Sequence, residues 1–405
     1  MWKNKFFILC ILCTLLLWYS TEIRQQYVAW FDGKVSVCWE DSGVSPRQIS
    51  QILYWQKKDP IMLPPLTLWN SFSNQIVYGD IYPTPAKGEI LEYYGEISSL
   101  LPCQFRYGDW PKDTQGCVID EGIAYSLWGS SDVLGRSLQW NKNTWYVQGI
   151  ITGTNHLVLF PTKETNPSLF PNLWLDLSKN QENCLLTEQI LQAYQLPMGI
   201  VTDFGLFVCL AKIITSFPIL LLWVGMVLCI ITRLWHLRHT KFLLFLSVPF
   251  LVLGIGVLSW VAELSWTIPE RFLPTKWSDS SFFYKLGEQI QSGISTISNA
   301  PSAVWKKLFW QHFFQCSISA VLTTFFLWLT VKNLPLPAPK SIFGFSLIWW
   351  TGLLGMIWQN RSSMFANPSL SLWLFPTVWI TLKWLLSFHA KWLTPKTFSK
   401  KEIKT

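Results

Sequence analysis

Charge is what this sequence has least of. Charged residues fill 14% of its 405 positions, against about 25% in ordinary soluble domains. Long stretches hold no ionisable side chain at all, which excludes a chain folding wholly in water around one core. Short chemical motifs are missing too. There is no GxxxxGK[ST] phosphate loop, no HExxH pair and no GxSxG elbow, so ATP hydrolysis by the P-loop route, zinc peptidase chemistry and the serine-hydrolase arrangement are not expected. No cofactor is expected. A membrane enzyme would need a nucleophile, a metal set or an acid–base pair, and only outer acids such as Asp120 and Glu121 offer themselves.

Aromatic side chains, by contrast, are abundant, with 26 Trp and 27 Phe. Their rings favour the boundary between membrane and water. Half of all residues are hydrophobic, and the composition is that of an integral membrane protein. The net charge of +8 divides unevenly: residues 21–204 carry 12 Lys/Arg against 19 Asp/Glu, a net of −7, and the remainder carries +15. A nucleic-acid-binding protein would place its basic charge on the folded domain. Here that part is acidic and the basic residues flank apolar runs, so nucleic acid is not an expected partner.

The apolar runs are 6–18, 206–232, 242–262, 313–331, 342–358 and 370–388. A helical span needs about 20 apolar residues. The first run follows Lys3 and Lys5 with no small-x-small cleavage site after it, so it reads as an uncleaved signal anchor. Six spans place both termini on one side, which the charges of the loops can check. The segments expected inside are MWKNK, TRLWHLRHTK, VKNLPLPAPKS and KWLTPKTFSKKEIKT, with 12 Lys/Arg and the single acid Glu402. Basic residues alternate with the crossings, predicting cytoplasmic termini and a multi-pass protein of the cell membrane. The spans so drawn contain Lys212 and Lys383 but no carboxylate; Lys212 is expected to snorkel to the outer boundary.

The chain then divides into an anchor (1–20), an extracytoplasmic domain (21–204), two spans (205–262), an outer loop (263–310), three spans (311–389) and a basic tail (390–405). Within the outer loop Phe282, Phe283, Leu286, Ile290, Ile294 and Ile297 share one helical face. Such a stripe suits either the membrane boundary or packing on the domain.

Inside the domain, Val35, Val37 and Trp39 alternate as in a strand. Ser45 before Pro46 is a helix N-cap, with Ile49, Ile52 and Leu53 as the buried stripe. Residues 74–82 and 88–94 read as strands. The stretch CVIDEGIAYSLWGSSDVLGRSLQWNKNTWYVQGIITG, residues 117–153, then predicts a strand over 117–120 and a helix over 121–128 ended by Gly129. Two strands follow, 137–140 and 145–151, around a loop at 141–143. The fold class expected is an α-helical membrane protein of about six spans with a mixed α+β domain inserted after the first.

This stretch resembles the periplasmic core domain of the MacB/FtsX-like permeases of ABC transporters. That family shows a helix end A-x-x-L-F-G, a turn D-P-[LI]-G-K and a strand F-x-V-x-G-[VI]. Ala124, Leu127, Trp128 and Gly129 match the first, Asp132, Leu134, Gly135 and Arg136 the second, and Tyr146, Val147, Gly149 and Ile150 the third. Residues 99–110 are similar, less closely, to a further segment of the family, and the likeness runs over residues 34–153. It implies a permease subunit that works with a separate ATP-binding subunit, often in symmetric pairs, with an extracytoplasmic partner or substrate. The chain departs from the family in having six expected spans rather than four, and in lacking the cytoplasmic E-R-x-x-E-I-G signature. A non-transporting sensor or interaction protein that keeps the domain is the second reading.

The loop at Arg233, His236, Arg238 and Lys241 is the candidate contact for an ATPase; topology marking and anionic-lipid contact explain it as well. Four of the nine cysteines, Cys38, Cys103, Cys117 and Cys184, fall in the domain, and four cysteines allow three pairings. Cys103 and Cys117 flank a short connection and are the first pair expected, with a fully reduced state as the alternative. No metal site is expected: His236 and His239 sit in a basic loop without further ligands.

Overall fold

The computed structural model describes residues 2–40, 42–56, 64–80, 85–177, 183–237, 252–261, 280–299, 304–333, 339–361 and 363–393. Among the described residues four helices are long and apolar enough to cross a membrane, at Phe7–Ala29, Gly205–Thr232, Trp305–Lys332 and Ile342–Gln359. A mixed α/β domain lies between the first and second.

The first helix, α1 (Trp2–Ala29), runs well past the expected end of its apolar run. No glycine or proline interrupts the chain between Met1 and Gly33, so the helix continues until the backbone can turn at Gly33, φ 81°. The expected boundary at residue 21 therefore falls inside α1, and Glu22 belongs to a membrane-grade helix.

The domain follows as β1 (Lys34–Cys38), α2 (Pro46–Gln56), β2 (Leu66–Gly79), β3 (Pro85–Gly95), β4 (Gln104–Gly108), β5 (Gly116–Asp120), α3 (Glu121–Trp128), β6 (Ser137–Trp140), β7 (Asn143–Thr152), β8 (Leu157–Pro161), β9 (Asn172–Asp176), α4 (Asn183–Ala193) and β10 (Ile200–Asp203). All ten strands among the described residues join one sheet, in the order β10-β1-β9-β2-β3-β8-β5-β7-β4, with β6 bridging β2 and β7. The β3–β8 and β5–β7 pairs are parallel and the others antiparallel.

Local chemistry explains the elements. Ser45 and Gln48 form a reciprocal cap: the Ser45 N–H donates to Gln48 Oε1 at 2.9 Å and the Gln48 N–H to Ser45 Oγ at 3.4 Å. Asp120 caps α3 by accepting from the Gly122 N–H at 2.6 Å, and Gly129 closes it at φ 69°. The 137–152 hairpin is tighter than expected. Trp140 pairs with Asn143, leaving a two-residue turn in which Asn141 and Lys142 both take positive φ (47° and 65°), as a type I′ connection requires. Strand β2 begins eight residues before the expected position. Leu66 to Trp69 are buried on both faces, so the run shows no alternation to read.

Side chains alternate across the sheet into different cores. One face carries Leu68, Leu173 and Leu175 against Ile49 of α2 and Leu191 of α4, and Cys117, Ile119 and Val158 against Ile123 of α3. The other face carries Trp69, Leu91, Val118, Leu159 and Trp174, and it packs on helices outside the domain.

Those helices are α1 and, after the domain, α5 (Gly205–Leu237) and α8 (Val304–Asn333). The remaining described helices are α6 (Val252–Val261), α7 (Ser280–Asn299), α9 (Pro339–Gln359) and α10 (Leu370–Leu393). Pro218 and Pro376 lie inside α5 and α10 without ending them. The third expected span, 242–262, lies mostly outside the described residues, which include only α6. The described apolar part of α10, Leu370–Leu386, falls short of a full span.

The domain–helix junction as candidate functional site

The spans in α5 and α8 are each 28 residues long, about 42 Å at about 1.5 Å per residue, against a hydrocarbon core of about 30 Å. Their domain-proximal turns thus extend beyond the length that lipid alone demands. In α1, α5 and α8 these turns meet the sheet and build an aromatic nest.

Phe31, just after α1, is the hub. Its ring centroid is 6.1 Å from Trp174 of β9, 5.3 Å from Phe204 and 5.2 Å from Phe309 of α8. Trp305 stands 5.2 Å from Phe204, 5.6 Å from Trp174 and 6.4 Å from Trp69 of β2. All six rings are buried, and edge-on contacts dominate, as aromatic quadrupoles prefer. Among the described residues the buried indole N–H groups of Trp69 and Trp305 have no hydrogen-bond partner, so apolar packing holds these two rings in the nest.

Ion pairs ring it. Lys212 of α5 meets Asp32 at 3.2 Å, Lys307 of α8 meets Glu89 of β3 at 2.9 Å, and Lys34 lies 3.5 Å from Asp176 of β9. Lys212 therefore has a carboxylate partner from the turn after α1, which answers the question raised by a lysine in an apolar run. Burial pushes the Lys34 ammonium below its ordinary pKa, and Asp176 partly restores it. Its Nζ also donates to the Trp30 carbonyl at 2.9 Å.

Further along the helices a polar seam joins α1 to its neighbours. Thr21 donates to Ser319 Oγ of α8 at 2.9 Å, the Tyr27 ring stacks on His312 at 4.3 Å, and Glu22 holds Ser369 at the start of α10. Drawn from the apolar run alone, the first span contained no carboxylate; with α1 continuous it contains a buried one, Glu22. The unbroken stretch from residue 19 to 32 was the signal that could have revealed it.

The arrangement is one of ring packing, ion pairs and hydrogen bonds that hold the helices to the sheet. Among the described residues no group of three His, Cys, Asp or Glu side chains is placed to hold a metal. Asp120 is committed to structure: besides the Gly122 cap it accepts from the Thr154 hydroxyl at 2.8 Å and the His156 N–H at 3.3 Å. Burial raises its pKa, and those three donors oppose the rise. Glu121 pairs with Arg106 at 3.7 Å.

Of the expected site residues, Arg233 and His236 fall at the end of α5, far along the helix from the junction, and Arg238, His239 and Lys241 lie outside the described residues. The cysteine expectation is corrected. Cys103 and Cys117 are not bridged, nor are Cys10 and Cys13, whose C-x-x-C spacing falls inside α1. Cys117 aligns with Val147 of β7, whereas Cys103 adjoins Gln104, which aligns with Thr152. Five residues of β7 separate these levels, about 17 Å at about 3.3 Å per residue, far beyond disulfide reach. The two thiols also belong to opposite faces of the sheet.

No family model and no curated protein matches the sequence. Among solved structures, 44% of the chain is similar to 92% of the periplasmic region of MacB from Actinobacillus actinomycetemcomitans, at 14% identity and a TM-score of 0.35. A second similarity covers 42% of the chain and 97% of the extracellular domain of the noncanonic ABC-type transporter YknZ from Gram-positive bacteria, at 8% identity and TM-score 0.33. A third covers 40% of the chain and 78% of a permease-protein domain from Porphyromonas gingivalis, at 13% identity and TM-score 0.28. The chain is a membrane protein whose α/β domain, over about two-fifths of its length, is structurally similar to MacB and YknZ extracytoplasmic domains.

Proposed function

We propose that this chain is a permease-like membrane subunit of an ABC transporter complex, linking a separate cytoplasmic ATPase to its α/β domain. In this reading the protein has six spans, cytoplasmic termini and an extracytoplasmic domain, and works in efflux or in transmitting mechanical force. The observation that carries it is the single buried core shared by the sheet and by α1, α5 and α8. A close-packed interior transmits displacement rather than absorbing it, so a shift of the helices moves the sheet. The match of Ala124–Gly129 type residues, the 132–136 turn and the 146–150 strand to the MacB/FtsX-like motif supports the same reading. Arg233, His236, Arg238 and Lys241 are the proposed ATPase contact, on the side of the membrane opposite the domain. Symmetric pairing of two permeases, and an extracytoplasmic partner or substrate, are further parts of the proposal.

The test is purification of the tagged full chain from its native membrane in mild detergent. A co-purifying P-loop ATPase, weakened by Arg233→Glu with Lys241→Glu, is the expected result. Recovery of the intact chain without any such protein, under conditions that preserve known ABC complexes, sinks the proposal.

A second reading, a membrane sensor or interaction protein without ATPase coupling, draws on one observation. The basic loop TRLWHLRHTK is short and lacks the family's cytoplasmic signature. A phenotype that persists when every co-purifying ATPase is removed would favour it.

A further inference from the structure

Helix α7 (Ser280–Asn299) packs against β10, the edge strand of the sheet. At about 100° per residue, Phe282, Leu286 and Ile290 fall within about 80° of arc, and Phe283 and Ile294 continue the same stripe about 20–40° beyond. The first three are half-buried. Phe283 and Ile294 are 46% and 44% exposed. The stripe therefore extends past the residues buried most, and among the described residues one shoulder of it stays about half exposed.

The chain itself indicates what covers that shoulder. Strand β10 ends at Asp203, and α5, with its membrane-grade stretch Gly205–Thr232, starts two residues later. At its other end α7 stops at Asn299, and the membrane-grade stretch of α8 begins at Trp305. The residues 300–303 between the helices span at most about 18 Å even when extended. The strand beneath α7 and the segment after α7 thus each lead within a few residues into a helix of membrane-grade composition. The opposite side of α7 carries Tyr284, which is 71% exposed, with Lys285, Glu288 and Gln291 also exposed. One apolar shoulder beside a polar, water-facing back is the pattern of a helix lying in the plane of a membrane surface.

We propose that α7 is a lipid-binding element, clamped on one edge by β10 and inserted into the adjacent leaflet by Phe283 and Ile294. Its occupant is the acyl-chain boundary of the bilayer. Lys285 and Glu288 are the helix's two charges and they cancel, so the interaction needs no anionic lipid. The proposal rests on reading α5 and α8 as membrane spans, and the experiment separates the two.

The photo-cross-linking residue p-benzoylphenylalanine is placed, one site at a time, at Phe283, Ile294, Glu288 and Val321 of the full chain, reconstituted in unsaturated phosphatidylcholine vesicles. Val321 is an exposed residue of α8 within its apolar stretch and reports on the span. Phospholipid adducts are expected at Val321, Phe283 and Ile294, in yields severalfold above that at Glu288. Lipid adducts at Val321 with none above the Glu288 level at Phe283 and Ile294 overturn the α7 proposal and leave the spans standing. Adducts at Phe283 or Ile294 to a second copy of the chain overturn it as well, by naming a protein occupant. Absence of lipid at all four sites removes the span reading and the proposal together. The substitutions Phe283→Ser and Ile294→Ser, made without the cross-linker, supply a second measure: both variants should fold, and in vesicles their α7 should exchange amide hydrogens faster than that of the parent chain, equal exchange in all three counting against insertion.

Discussion

The carboxylate of Glu22 in α1 accepts two hydrogen bonds from Ser369, one from its N–H and one from its hydroxyl, each at 2.8 Å. Ser369 immediately precedes α10, and the Leu372 N–H points at its Oγ at 3.4 Å. A buried acid of the first helix thus sits at the positive end of the last, joining residues 347 apart in sequence. Hydrogen bonds to a charged group are worth about 1.5–3 kcal/mol, and a carboxylate at a helix N-terminus adds up to about 1 kcal/mol or more when partly buried. Glu22→Ala should therefore lower thermal stability in detergent markedly, with Glu22→Gln intermediate because it still accepts one bond. Equal melting temperatures for all three proteins would show that the contact is not a fastening.

At the junction, apolar packing should outweigh charge. Trp305→Ala removes a ring that touches Trp69, Trp174 and Phe204 and should cost about 3–5 kcal/mol. Lys212→Ala breaks a pair whose lysine side chain is 43% exposed, and exposed pairs are worth about 0–1 kcal/mol. Denaturant or thermal unfolding of the two variants should rank them in that order; the reverse order would mean that the ion pairs carry the junction.

Thiol chemistry offers a test with a defined pH dependence. Burial pushes the Cys103 thiol up to about 12 and raises the Cys117 thiol as well, disfavouring the thiolate that alkylating reagents attack. Because the folded-state pKa is raised, protonated thiols persist through the pH range in which an exposed cysteine ionises. Between pH 7 and 9 (about the span around an unperturbed thiol pKa) neither should gain reactivity in the native protein, and both should react once it is unfolded. Mass spectrometry without reduction should find no Cys103–Cys117 bridge.

Gly129 ends α3 at φ 69° with open space where a side chain would stand. Gly129→Ala should cost about 1 kcal/mol through backbone strain alone, and Gly129→Asn less, since asparagine tolerates the left-handed region. Identical losses for both would point to crowding instead.

Asp120→Ala should be more damaging than any change at Gly129. It leaves the Gly122 and His156 N–H groups and the Thr154 hydroxyl without their shared acceptor, at about 1–3 kcal/mol. Since burial raises the Asp120 pKa, its ionisation opposes folding. Stability associated with this group is full below the ordinary carboxylate range and falls as pH rises through the raised value. The pH slope should flatten there in Asp120→Asn.

Much of this architecture could be read directly from residue order. The α3 helix, its caps at Asp120 and Gly129 and the flanking strands follow from local signals: a capping side chain, a left-handed glycine, alternation over a few residues. The same holds for the existence of the long apolar helices, whose composition answers to the bilayer, though not for their extra turns against the sheet. Strand β9 and the start of β2 were less legible because both faces are buried, Leu68 and Leu173 against α2 and α4, Trp69 and Trp174 against α1 and α8, so hydrophobicity loses its period. Alternation marks a strand only where one face meets water.

Local sequence therefore determined a membrane protein with an inserted α/β domain, through composition, span length and capping chemistry. Only the tertiary structure decided that Trp305, 131 positions after Trp174, shares a core with it, that Glu22 meets Ser369, and that Cys103 and Cys117 stand on opposite faces of one sheet. Those outcomes depend on strand order and helix packing, which bring together residues whose separation along the chain carries no local signal.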